Sequence, residues 1–133
     1  MMRIAVILAS LALAGCGAEG SQAQAVDAGT EFTLAQGATA SVKAADVKLR
    51  FVSVIEDSRC PRDTTCVWAG EVRVQLEIQE ASRAESPVEV LLGSSSIVGA
   101  YRVTLVRVEP EPVSTSRISP QDYRVTLVIE KES

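Results

Sequence analysis

Residues 71–80 read EVRVQLEIQE. Val72, Val74, Leu76 and Ile78 take every second position, and Glu71, Arg73, Gln75, Glu77 and Gln79 fill the gaps. A period of two over ten residues is a β-strand with one face in a core and one in water; a helix would repeat every 3.6 residues.

Working outward, the same alternation recurs. In VKLRFVSVIED (47–57), Val47, Leu49, Phe51 and Ile55 are expected on one face, with Lys48, Arg50 and Glu56 on the other. VEVLL (88–92), YRVTLVRVE (101–109) and YRVTLVIEK (123–131) follow, and EFTL (31–34) and ATASVKA (38–44) are shorter strand candidates. The breaks ASRAESP, GSSS, EPEP and SP carry turn chemistry, and the Ser94-Ser95-Ser96 run reads as a turn. No amphipathic helix emerges beyond the first fifteen residues. The expectation is an all-β domain: a small β-sandwich or barrel of seven or eight mostly antiparallel strands, with 47–57 and 71–80 forming a hairpin.

YRVTLV occurs twice, at 101–106 and 123–128. The copies mark two equivalent sheet positions, or simply a good half-buried strand that recurs with Tyr, Val and Leu inward and Arg and Thr outward. No third copy follows at the same offset, which excludes a solenoid. The two are expected to pair as antiparallel neighbours. Their connection, PEPVSTSRISPQ (110–121), is long for a hairpin and is therefore a candidate recognition loop.

The chain opens MMRIAVILASLALAGCGAEG. Arg3 precedes an apolar run over 4–14, which has the length of a signal-peptide core and is too short for a permanent membrane span. Leu13-Ala14-Gly15-Cys16 resembles the lipobox of bacterial lipoprotein precursors. The resemblance implies removal of residues 1–15 and lipidation of Cys16, whose acyl chains hold to a lipid bilayer at about 0.8 kcal/mol per buried methylene. The retention signal of that family is an Asp after the Cys. Gly17 stands there instead, which implies the periplasmic face of the outer membrane in a Gram-negative host. Residues 16–30 then read as the lipidated Cys and a flexible tether, of which 17–30 span roughly 20 Å, and 31–133 as a single β domain.

Thirteen basic and seventeen acidic residues set the net charge at −4, and loss of Arg3 with the leader makes it −5. An acidic chain is poorly suited to nucleic acid. Removing residues 1–15 from the 133 leaves 118, enough for one real core.

With Cys16 lipidated, Cys60 and Cys66 remain, and an even count in an oxidising compartment reads as one disulfide. It closes the end of the predicted hairpin in EDSRCPRDTTCVWAG (56–70). Three readings compete there. A redox site would want Cys-x-x-Cys at a helix N-terminus, whereas five residues separate these cysteines. A zinc site would want four Cys or His donors, and the chain has no His; Asp57 and Asp63 are oxygen donors without EF-hand spacing. A staple needs nothing more, and closing so short a loop is worth about 2 kcal/mol. Within the ring Pro61 suits a turn start and Asp63 can accept local backbone bonds.

Trp68, the only tryptophan, shares parity with Cys66, Gly70 and Val72, which points it inward unless Gly70 marks a bulge and turns it out. Turned out, it would be an aromatic anchor with Arg59 and Arg62 supplying polar contacts; the bland alternative is a core Trp beside two solvated arginines balanced by Asp57 and Asp63. The segment SRCP, four variable residues, then CVWAG and an alternating strand also resembles a group of small secreted bacterial proteins and lipoproteins, over roughly residues 47–112. That group carries no assigned activity. The resemblance implies an envelope location and a disulfide-tipped hairpin, and no chemistry.

Catalysis is not expected. The absence of His removes the commonest general base, no Gly-x-Ser-x-Gly elbow or phosphate-binding glycine loop is present, and Glu109 and Glu111 sit in an extended EPEP connector. The expected function is an envelope lipoprotein whose β domain offers Arg59, Pro61, Arg62, Asp63 and Trp68 to an envelope protein, without metal or cofactor. The alternatives are an inhibitor of a secreted hydrolase, such as a lysozyme or protease, and a thiol redox protein.

Overall fold

A computed structural model describes residues 23–43 and 45–132. The leader, Cys16 and the first part of the expected tether lie outside the described residues. Those described contain nine strands: β1 (Gln24–Val26), β2 (Phe32–Ala35), β3 (Thr39–Val42), β4 (Val47–Asp57), β5 (Val72–Glu80), β6 (Ser86–Leu91), β7 (Ser95–Val98), β8 (Tyr101–Glu109) and β9 (Arg124–Lys131). They build two sheets, β1-β3-β4-β5-β6 and β2-β9-β8-β7, in which every pair is antiparallel except β1 with β3. Both sheets feed one apolar core, so the architecture is a β-sandwich. Among the described residues no helix is long and apolar enough to cross a membrane.

The alternation read from EVRVQLEIQE holds: Val72, Val74, Leu76 and Ile78 are at most 1% exposed. They meet Phe32, Leu34, Val103, Leu105, Val125, Leu127 and Ile129 of the other sheet in a single buried cluster. The YRVTLV copies are antiparallel neighbours, as expected, with Leu105 opposite Leu127. Thr126, expected outward, is 5% exposed, and its hydroxyl pairs with that of Thr33 at 3.1 Å.

Three expectations need correction. Ile55 is 43% exposed, because β4 slips register between Phe51 and Ser53 and again between Val54 and Glu56. Each slip inserts a residue that reverses the parity beyond it, so Val54 packs against the core instead. The β structure begins earlier than residue 31: β1 lies within the expected tether, with Val26 buried. A three-residue strand with one inward side chain has no period to read. Ser95 and Ser96 belong to β7 and are not in a turn. Their hydroxyls make them strand-compatible, Ser95 Oγ pairing with Thr104 Oγ1 at 2.7 Å and Ser96 Oγ donating to the Glu89 carbonyl at 2.8 Å. These two additions raise the expected seven or eight strands to nine.

Candidate binding surface at the ribbon tip

β4 and β5 leave the core as one ribbon whose pairing persists beyond the sheet. Ser58 N donates to Glu71 O at 2.8 Å, Ser58 Oγ bonds the Glu71 carbonyl and amide, and Cys60 N donates to Ala69 O at 3.1 Å. The crossing is tight at Gly70, with φ +71°. A Cβ there would lie 1.9 Å from the Ser58 carbonyl oxygen, so only glycine fits. Beyond this neck the Cys60–Cys66 disulfide closes the ring with a Cα separation of 5.9 Å. Inside it Thr64 N donates to Pro61 O at 3.0 Å, which makes Pro61 the turn start expected of it.

Two polar clamps hold the ribbon tip to the end of β8, the 110–121 loop and Tyr123. In the first, Arg59 donates two bonds of 2.8 Å to the Asp57 carboxylate, and its guanidinium also reaches the Val108 carbonyl at 2.8 Å and the Pro110 carbonyl at 3.0 Å. Tyr123 Oη donates to Asp57 Oδ2 at 2.8 Å. The Asp57 and Arg59 side chains are each 11% exposed. Burial pushes the Asp57 carboxyl up, but the hydrogen bonds from Arg59 and Tyr123 and the Arg59 charge outweigh it and hold Asp57 below the ordinary carboxylate range. The Asp57 hydrogen bond raises Arg59. Burial first, and the bond to Asp57 second, push the Tyr123 phenol up to about 12. Asp57 therefore stays anionic and Tyr123 neutral throughout the neutral range.

In the second clamp Ser114 gives Asp63 both its N–H at 2.9 Å and its hydroxyl at 2.5 Å, which lowers the Asp63 carboxyl. Arg62 N donates to Pro112 O at 3.0 Å alongside. The two loops picked out in the sequence are thus one composite surface.

The clamps leave two large apolar side chains outside. Val67 is 96% and Trp68 82% exposed. The inward parity of Trp68 fails because Gly70 turns the chain in the left-handed region. On the other side of Ala69–Glu71 lies an open groove of about 560 Å³, floored by Val72 and Val108, flanked by Leu92 and Val106, with Arg62 and Glu111 beside it.

Of the sequence candidates, Arg62 and Trp68 are free to meet a partner. Arg59 is a correction: it is turned inward as the centre of a clamp, because the sheet edge offers it two carbonyls. Asp63 spends its carboxylate on Ser114. Sequence reasoning missed Tyr123, Ser114, Leu92 and Glu111. The only available signals were the opposite charges of Asp57-x-Arg59 and the Tyr that opens each YRVTLV copy. Among the described residues no group of three or more His, Cys, Asp or Glu is placed to hold a metal. No protein-family model, curated protein or solved structure matches the chain.

Proposed function

We propose that this protein is a lipoprotein of the bacterial cell envelope, anchored through acylated Cys16 at the periplasmic face of the outer membrane, whose β domain acts without catalysis by presenting its tip to a protein. One observation carries the reading: the only tryptophan stands 82% exposed beside a 96% exposed valine, on a loop braced by a disulfide and two polar clamps. Exposed apolar surface costs solubility, and bracing removes the ordering cost of binding. Trp is also the residue most often found at the energetic centre of interfaces. The resemblance of Leu13-Ala14-Gly15-Cys16 to a lipobox supports the anchor.

The test is a photo-crosslinking residue at position 67 of the full-length protein in its native membrane, which leaves Trp68 in place, with position 83, in the turn after β5 at the far end of the ribbon, as control. Capture of one protein species from 67 and not from 83 is expected; no capture would overturn the reading. A captured secreted hydrolase that loses activity would make the domain an inhibitor. For the anchor, a diacylglycerol mass on Cys16 and release of the Cys16→Ser protein from membranes are expected, and an unmodified Cys16 would remove it.

A further inference from the structure

The tip carries a projection and a recess side by side. Val67 and Trp68 project on one side of Ala69–Glu71, and the groove flanked by Leu92, itself 39% exposed, opens on the other. In the segment between them Gly70 is packed against the Ser58 carbonyl.

The charges around this pair follow a pattern. Arg59 is paired with Asp57 at 2.8 Å, Arg73 with Glu71 at 3.6 Å and Arg107 with Glu109 at 3.7 Å. Arg62 and Glu111, which both line the groove, make no ion pair within 4.0 Å, although Arg62 lies near Asp63 and Glu111 near Arg59. A partner of uniform charge would be attracted by one and repelled by the other. A surface that sets a projection beside a recess and a cation beside an anion is complementary to its own copy across a two-fold axis.

We propose that the partner of the tip is a second copy of this chain, in a two-fold dimer where each Trp68 enters the groove of the other copy and each Arg62 meets the other's Glu111. This rests on the reading of the tip as a protein-binding surface. The size is consistent. A tryptophan buries about 150–250 Å². Two of them, with the groove surfaces that cover them, reach about 600–800 Å², the size of a weak or transient interface. Such a dimer is weak in free solution, and confinement of both copies to one membrane raises their effective concentration.

The experiment is the same full-length protein with the crosslinker at position 67 and Trp68 intact, now read by adduct mass and composition. An adduct of twice the chain mass containing only this protein is expected. Arg62→Glu and Glu111→Arg are each expected to lower its yield roughly tenfold, since each reversal creates two like-charge contacts by symmetry. The double reversal restores it. Thermal melting of each variant confirms folding, and Arg62→Gln with Glu111→Gln replaces any variant that fails, with loss in each single variant and no rescue in the pair. A self-adduct indifferent to all these changes overturns the arrangement. An adduct with a different protein overturns the dimer and leaves the proposed function standing. No adduct overturns both.

Discussion

At the far end of the β4–β5 ribbon, Leu49 pairs with Ile78 and Phe51 with Leu76, and all four side chains are buried in the sandwich. At the near end the same two strands slip register twice, send Ile55 outward, and finish in a disulfide-closed ring followed by Trp68, which faces solvent. One end is held by apolar burial, where a one-residue slip would expose every inward side chain. The other is held by a covalent bond and directional polar contacts, which tolerate broken parity. A sequence pattern is therefore readable only where the hydrophobic effect sets the register.

This contrast can be broken from either side. The largest effect is expected at the far end: Phe51→Ala should cost about 3–5 kcal/mol in urea unfolding, and a loss below about 1 kcal/mol would mean the core does not close around Phe51. At the neck, Gly70→Ala must move the Ser58 backbone. It should cost about 2–4 kcal/mol, whereas Gly37→Ala, at φ +85° with nothing within 4 Å, should cost only about 1 kcal/mol. Equal costs would mean that the neck is loose.

The first clamp comes next. Asp57→Asn should cost about 2–3 kcal/mol at pH 7 because it leaves Arg59 half-paired in a nearly closed site. Its pH signature has two limbs. Asp57 is depressed by folding, so its contribution is present above its unfolded value near 3.9 and is lost as pH falls through the folded value. Asp63, lowered by Ser114, adds to the same limb. Tyr123 is raised from 10.0 to about 12, so its contribution is complete below pH 10 and disappears as pH rises toward 12. Tyr123→Phe should flatten the alkaline limb and Asp57→Asn much of the acid one; unchanged stability–pH curves would remove the clamp.

Reducing Cys60–Cys66 should cost about 2 kcal/mol on loop entropy and lower the melting temperature by several degrees. A fold indifferent to reductant would return the cysteines to redox chemistry. The smallest effect is expected from Trp68→Ala, within about 0.5 kcal/mol. A larger loss would mean that the indole packs against its own domain.

The sequence by itself determined the all-β class, the β4–β5 hairpin, the antiparallel pairing of the YRVTLV copies and a ring that joins Cys60 to Cys66. Each of these follows from a short-range rule: side-chain period, turn composition or cysteine count. Only the tertiary structure decided that Arg59 is spent on Asp57 and two carbonyls, that Asp63 answers Ser114, that β1 and β7 complete the sheets, and that Trp68 stands in solvent. The contacts of Arg59 with the Val108 carbonyl, of Asp63 with Ser114 and of Asp57 with Tyr123 join residues more than forty positions apart, and the turn of Trp68 rests on one glycine at φ +71°; no local pattern encodes which donor a buried carboxylate will find once two sheets have closed on each other.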